Sequence, residues 1–395
     1  MKKFRRRIEH LYHLFVQVVF SILGALPKKR LFFFESFHGK QYSDNPRAIY
    51  EYLQKEYPEI PCLWAVKKGF EKPFIENNVP YVRRLGLKWL LIMPRAKYWI
   101  FNTRMPAWMK KNEQTIYIQT WHGTPLKKLG LDIENISMPG TTTKQYRKNF
   151  ENEAARWDYL LSANAFSSNI FKNAFNYQGE ILEIGYPRND ILLDKKHYSI
   201  NKQRVLKNLG LSERKKIILY APTWRDTEFY SKGAYKYINH FPFDQVLKNS
   251  ENSVILFRAH YLIANQLDSS KYDNRVIDCS NYPDIKDLYL ISDLLITDYS
   301  SVIFDFAYTE RPILFFMYDQ QDYLQNIRGC YLNLEKILPG PIIKTQEELT
   351  NKILELIDRD FITVNTHYEK FKETFCPDIK ISSSEHLINK LFKNK

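Results

Sequence analysis

Apolar positions along the chain fall into two alternating series separated by a polar stretch. In the first, short apolar runs at 30–35, 61–66, 98–102, 115–119, 158–162 and 181–185 are bounded by turn residues, which predicts buried strands. Segments between them have helical spacing. Asn45 stands where it would cap a helix that has Pro46 at its first position and runs to residue 57. A second series follows at 217–221, 254–257, 275–278, 294–297 and 312–316, with helices fitting at 243–248, 285–292 and 300–309. Strands alternating with helices in this way imply parallel sheets covered on both faces. The expected class is α/β with two facing Rossmann-like domains, at 29–205 and 206–395, and a chain of 395 residues is long enough for both. Residues 382–395 read as an amphipathic helix that packs back on the first domain.

Residues 1–28 stand apart. An apolar run from Ile8 to Leu26 is interrupted every three or four residues by His10, His13, Gln17, Ser21 and Gly24, giving one polar stripe on an apolar helix. Basic clusters flank it: Lys2, Lys3, Arg5, Arg6 and Arg7 before, Lys28, Lys29 and Arg30 after. The stripe and the charge suit a membrane-associating helix that lies at an anionic surface, rather than a span. A helix packed on the protein's own core is the alternative.

The formal net charge of +14 extends the basic character beyond this segment. It suggests anionic partners, but no helix-turn-helix, zinc-finger or RNA-binding signature accompanies it, so nucleic acid is not expected. Glycine is scarce at 13 residues and neither GxGxxG nor GxxxxGK[ST] occurs, so any phosphate must be held by side chains and helix ends. The four cysteines show no CxxC pairing, which argues against a structural zinc site. No cofactor and no metal are expected, since Asp358-Arg359-Asp360 reads as a solvent-facing stretch.

The candidate chemistry lies at strand ends, where open α/β sheets bind ligands. Gln119-Thr120-Trp121-His122-Gly123-Thr124-Pro125-Leu126 places an imidazole at the tip of a turn, a natural proton acceptor near neutrality. Lys127 and Lys128 follow it, and His38 ends an earlier strand. In the second series the strand ends carry Pro222-Thr223, Arg258-Ala259-His260, and Ser300-Ser301 with Asp305 one turn on. Arg258 offers a fork for phosphate oxygens, and Ser300 and Ser301 open a helix whose free N–H groups favour an anion. Histidines from both domains facing an anion site suggest acid/base group transfer from a nucleotide-linked donor to a hydroxyl. No GxSxG elbow is present, which excludes the common hydrolase arrangement.

Five motifs, Gln119–Gly130, Gly185–Asp190, Tyr220–Arg225, Arg258–His260 and Thr297–Asp305, resemble in content and order those of the CDP-glycerol:poly(glycerophosphate) glycerophosphotransferases. The resemblance runs from about residue 30 onward. It implies a GT-B-like fold, a peripheral enzyme on the cytoplasmic face of the cell membrane, and release of CMP from a CDP-activated polyol as a lipid-linked anionic acceptor is extended. By the matching motifs, His122 is the base, Arg258 and His260 meet the donor pyrophosphate, and Ser300, Ser301 and Asp305 hold CDP. Arg188, Pro222, Thr223, Ala259 and the Gly123–Leu126 turn line the donor pocket; His38, Lys127 and Lys128 lie on the acceptor side. CDP-ribitol in place of CDP-glycerol, sugar-nucleotide glycosyl transfer, and a non-catalytic membrane adaptor remain as alternatives.

Overall fold

The computed structural model describes the chain apart from residues 1, 27, 107, 135–141, 224–228, 232–233, 236–237, 260–266, 322–328, 363–365 and 394–395. In the N-terminal helix side chains are described at residue 8 and from residue 11 onward, and residues 229–231 and 234–235 by backbone alone. The chain divides into two compact units, Met1–His122 with Leu129–Asp190 and Ile379–Lys395, and Gly123–Lys128 with Ile191–Asp378.

The first unit is built on β1 (Lys29–Glu35), β2 (Cys62–Val66), β3 (Tyr81–Arg83), β4 (Ala96–Phe101), β5 (Ile116–Gln119), β6 (Tyr159–Ser162) and β7 (Glu180–Glu183). They form one parallel sheet in the order β3-β2-β1-β4-β5-β6-β7. Both faces of this sheet are buried, and three consecutive phenylalanines in β1 supply both. Phe32 and Phe34 pack with Trp64, Tyr98 and Ile118 on one face, while Phe33 joins Trp99, Phe101 and Tyr117 on the other. On the first face lie α2 (Asp44–Glu56), through Ile49 and Leu53, and the C-terminal helix Ser383–Lys393, through Leu387, Ile388 and Leu391. Each of those three side chains is fully buried, a gain of about 1.5–3 kcal/mol apiece. The backbone N–H groups of Ser383 and Ser384 donate to the half-buried Asp190 carboxylate at 2.8 and 3.0 Å, which fixes the start of that helix. Gly185 (φ +84°) lies so close to Ile379 and Ser383 that a Cβ has no room there.

The N-terminal helix, α1 (Lys2–Gly24), packs one side on the first unit and leaves the other exposed. Val16 and Phe20 are buried in the first unit, Phe20 5.4 Å from Trp89, and His13 stacks on Trp108 at 4.6 Å. The opposite side carries Ile8, Leu11, Phe15, Val18 and Ile22, each 52–65% exposed. Among the described residues no helix is long and apolar enough to cross a membrane.

The second unit contains β8 (Lys216–Tyr220), β11 (Ser253–Phe257), β12 (Val276–Asp278), β13 (Leu294–Thr297), β14 (Ile313–Phe316) and β15 (Ile342–Ile343), parallel in the order β12-β11-β8-β13-β14-β15. A separate antiparallel ribbon pairs β9 (Phe229–Ser231) with β10 (Ala234–Tyr235). Residues 126–128 also belong here: Lys128 N–H donates to Gly329 O and Tyr331 N–H to Leu126 O, a short antiparallel pairing.

Four details differ from the sequence reading. The edge strands β3 and β15 span three and two residues, too few for a hydrophobic period to register. The helix expected at 300–309 is Val302–Phe306 followed by a 3-10 turn, Ala307–Thr309. The helix Tyr198–Asn208 belongs to the second unit, held by Tyr198 Oη–H donating to Leu290 O at 3.0 Å, so the chain passes between units after Asp190. Finally, α2 begins at Asp44, one residue before the expected cap, and Asn45 serves elsewhere.

Candidate active site

Sheet topology brings the carboxyl ends of β1, β4 and β5 together in the first unit, and the residues that follow them form one polar network. His122 follows β5. Its Nδ1 lies 2.7 Å from the carbonyl oxygen of Asn102, the residue after β4. A carbonyl only accepts, so Nδ1 carries the proton and the neutral ring presents its lone pair at Nε2. Stacking on Trp121 at 4.5 Å and an edge contact with Phe37 at 6.0 Å hold the ring plane. Trp121 is itself anchored among Phe150, Phe171 and Phe175, with φ +51°. Phe37 (φ +45°), His38 (φ +59°) and Asp44 (φ +66°) share this left-handed conformation, so four non-glycine residues store backbone strain around one imidazole.

Asn102 is fixed in turn. Its amide nitrogen donates to Ser36 Oγ at 3.1 Å and to Asp44 Oδ2 at 3.0 Å, and its amide oxygen accepts from Phe37 N–H at 2.9 Å. Asp44 Oδ1 pairs with Arg188 Nη1 at 2.9 Å, and both side chains are buried. Asn45 donates to the carbonyls of Thr120 and Trp121 at 3.2 and 3.1 Å and accepts from Arg188 N–H at 3.1 Å. The start of α2 therefore ties together the loops after β1, β4, β5 and β7. Asp44, Asn45 and Asn102 escape sequence reasoning because none belongs to a recognisable motif. Their one local signal, Asn45-Pro46, points to capping.

Crowding by protein atoms pushes the His122 imidazole below its ordinary value; the Asn102 carbonyl and Asp44 oppose this, and Arg188 and Arg104 add to it. An exposed edge of the ring tempers the shift. His38 is lowered to about 4 through the same crowding and the cationic neighbours Arg84, Lys40 and Arg104. Both rings are thus neutral at pH 7, the form in which a base works.

In the second unit Asp298 organises the strand ends. Its Oδ1 accepts from Thr223 N–H at 2.9 Å and Tyr299 N–H at 2.6 Å, and Thr297 Oγ1 donates to Ala221 O at 2.7 Å. Pro222, Thr223, Ser300 and Ser301 are thereby gathered at the ends of β8 and β13. Neither serine caps its short helix through a side-chain bond from within the first turn; Ser300 Oγ accepts weakly from Val302 N–H at 3.4 Å. Asp305 is buried rather than solvent-facing. Arg258 turns one nitrogen, Nη1, onto the carbonyls of Cys279, at 2.7 Å, and Tyr282, so part of the fork expected for pyrophosphate braces the loop after β12. Ala259 N–H donates to Ser280 Oγ at 3.0 Å. His260 lies outside the described residues.

Beyond β14 and β15, at the same end of the sheet, a cavity of about 280 Å³ is lined by Tyr318, Asp319 and Lys344. A larger concavity, about 580 Å³, runs along β15 and the helix Gln346–Asp358, but Glu347, Glu348 and Glu355 line it, and these repel an anionic donor. Arg188 belongs to the first unit's network, and Lys127 and Lys128 to the segment paired with residues 329–331. Among the described residues no three His, Cys, Asp or Glu side chains converge as metal ligands.

Residues 18–393 match the CDP-Glycerol:Poly(glycerophosphate) glycerophosphotransferase family. The chain belongs to that family. A teichoic acid glycerol-phosphate transferase of Staphylococcus aureus (strain NCTC 8325 / PS 47) is 45% identical to this glycerophosphotransferase-family chain over 394 residues, 98% of each. A teichoic acid poly(glycerol phosphate) polymerase of Bacillus subtilis (strain 168) is also 45% identical over 380 residues; the chain spans half of that protein's length. The solved structure of the wall teichoic acid polymerase TagF with CDPG superposes with a TM-score of 0.86 at 38% identity, covering 100% of this chain and 98% of that one. The GT-B-like assignment of this family member follows from that likeness, and each unit has the parallel, helix-covered sheet it requires.

Proposed function

We propose that the chain transfers glycerol phosphate from CDP-glycerol to a hydroxyl of a lipid-linked anionic acceptor, with release of CMP, in teichoic acid assembly. The observation that carries this reading is the Nδ1–H of His122 held by the Asn102 carbonyl, which leaves Nε2 as a proton acceptor in a family that transfers glycerol phosphate. His122 Nε2 takes the acceptor hydroxyl proton, the oxygen attacks the phosphorus that bears the glycerol, and the bond from that phosphorus to the CMP oxygen breaks. One phosphodiester forms and one phosphoanhydride is lost. Arg258 and His260 meet the pyrophosphate charge, Ser300, Ser301 and Asp305 hold CDP, and Pro222, Thr223, Ala259 and the Gly123–Leu126 turn complete the donor side, with no metal required. His38, Lys127 and Lys128 face the acceptor. Glycerol is favoured over ribitol by the 45% identity to two glycerol-phosphate enzymes.

The decisive measurement is CMP release with a lipid-linked glycerophosphate acceptor, CDP-glycerol and CDP-ribitol being supplied separately. Release with CDP-glycerol alone supports the reading. Release with CDP-ribitol alone changes the polyol, and nucleoside diphosphate release from a sugar nucleotide replaces the reaction.

The exposed apolar stripe of α1 beside its basic flank supports peripheral attachment to the cytoplasmic face of the membrane. Leu11→Ser, Phe15→Ser and Val18→Ser together remove that stripe without touching Val16 or Phe20. Affinity for vesicles containing anionic lipid is expected to fall roughly tenfold or more, at an unchanged melting temperature. Equal vesicle binding by both proteins would place the attachment elsewhere.

A further inference from the structure

Among the described residues around His122, Arg104 is a charged group that the network leaves unused. It stands two residues after Asn102, on the same β4 extension, and Thr103 between them accepts from the Gln119 amide at 3.2 Å. The guanidinium lies 4.1 Å over the Phe150 ring and 5.3 Å from the Tyr146 ring. Among the described residues it has neither a hydrogen-bond nor an ion-pair partner. The nearby carboxylate offers none: Glu153, which accepts from the next backbone N–H at Met105, is already bound by Arg156, Tyr117 and Trp157. Arg84, by contrast, is neutralised by Glu35 at 2.9 Å, and Arg188 by Asp44.

A half-buried cation packed against aromatic rings, with its donors unspent, is built to receive an anion. Phe150, the ring beneath Arg104, also packs against Trp121 at 6.4 Å, and Trp121 stacks on His122, so an anion taken by Arg104 lies near the candidate base. We propose that Arg104 is a phosphate-binding residue for the acceptor, gripping the phosphodiester next to the hydroxyl that His122 deprotonates. This rests on the assignment of His122 as base. The spatial logic is that a hydroxyl placed at Nε2 on a glycerophosphate chain carries its own phosphate one glycerol unit away. It also gives the enzyme a means to prefer an acceptor that already ends in glycerol phosphate over an uncharged one. Glycerol phosphate and the donor's pyrophosphate share the same chemistry, so the test separates them.

Arg104→Gln and Arg104→Lys are compared with the unmodified protein in CMP release, with acceptor and CDP-glycerol varied in turn. Arg104→Gln is expected to raise the KM for a glycerophosphate-ended acceptor on the order of 10- to 100-fold. The KM for CDP-glycerol and the kcat at saturating acceptor should stay within about threefold, roughly the scatter expected for a site not in contact with the donor. Arg104→Lys, which keeps the charge and loses the fork, should fall between. An uncharged acceptor analogue should show no difference among the three proteins. A rise in the KM for CDP-glycerol instead would hand Arg104 to the donor, and unchanged constants with active protein would overturn the inference outright. Binding of glycerol 3-phosphate, followed by the thermal shift it produces, gives a readout without turnover: stabilisation of the unmodified protein that disappears in Arg104→Gln supports the site, and equal stabilisation refutes it. Absence of CMP release from the unmodified protein would strike the proposed reaction itself, which keeps the two failures apart.

Discussion

His122→Ala is expected to lower CMP release by about 100- to 10,000-fold, the range that loss of a positioned general base produces. The melting temperature should change little, because the ring keeps an exposed edge and Trp121, not His122, fills the pocket made by Phe150, Phe171 and Phe175. The sign of the pH dependence follows from the neutral ring being the active form. Crowding holds the His122 imidazole below its ordinary value of 6.5, so kcat/KM should rise with pH along a limb centred below 6.5 and level off above it. His122→Asn removes the base while retaining an amide that can donate to Asn102, and it should show the same loss without the pH limb. Steady-state rates between pH 5 and pH 8 together with a thermal melt decide the matter. Most of the activity surviving in either variant would remove His122 from the chemistry.

A second large effect is expected from Asp44→Ala, and here it is mainly one of stability. The substitution strips a buried guanidinium of its carboxylate and the Asn102 amide of one acceptor. Breaking a buried pair in this way costs about 3–5 kcal/mol. The left-handed backbone at Asp44, which alanine tolerates poorly, adds to the loss. Removing both partners, as in Asp44→Ala with Arg188→Met, should return part of that cost, because no uncompensated charge is left inside. Urea denaturation of the single and double variants measures both numbers. Activity should fall as well, in kcat more than in KM, because Asn102 is the residue through which Asp44 holds the His122 tautomer. An Asp44→Ala protein as stable as the original would show the pair to be solvated.

Much of this arrangement was legible before any coordinates. A run such as Phe32-Phe33-Phe34 admits one reading, a strand buried on two sides, and the parallel sheet follows from its repetition with helices between. His122 at the turn after β5 and Thr223 and Ser300 after β8 and β13 stand where strand periodicity places them. What failed was anything carried by long-range hydrogen bonds. The Asn102–Asp44 and Asn45–Arg188 bonds join residues 58 and 143 positions apart, and no spacing rule relates them. Asn45 followed by proline is the pattern of a helix cap, yet the structure uses its amide to hold the carbonyls before His122. The partners of Arg258 are hidden in the same way. Sequence shows a cation at a strand end, but not that two backbone carbonyls occupy one of its nitrogens. The polar stripe on α1 leaves core packing and surface attachment open, and only the structure shows a face packed on Trp89 beside a bare one.

The docking of the helix Ser383–Lys393 onto the first sheet bears on the order in which the protein is made. Residues 191–378 emerge from the ribosome between the strands of the first unit and the helix that covers one of their faces. Until residues 383–393 appear, Phe32, Phe34 and Tyr98 lack part of their cover, and the Asp190 carboxylate lacks the donors that hold it. The second unit, contiguous apart from residues 123–128, faces no such wait. The N-terminal unit is therefore the last to be completed, against the usual sequence of vectorial folding, and a nascent chain stalled short of residue 383 exposes an aromatic face for as long as the stall lasts.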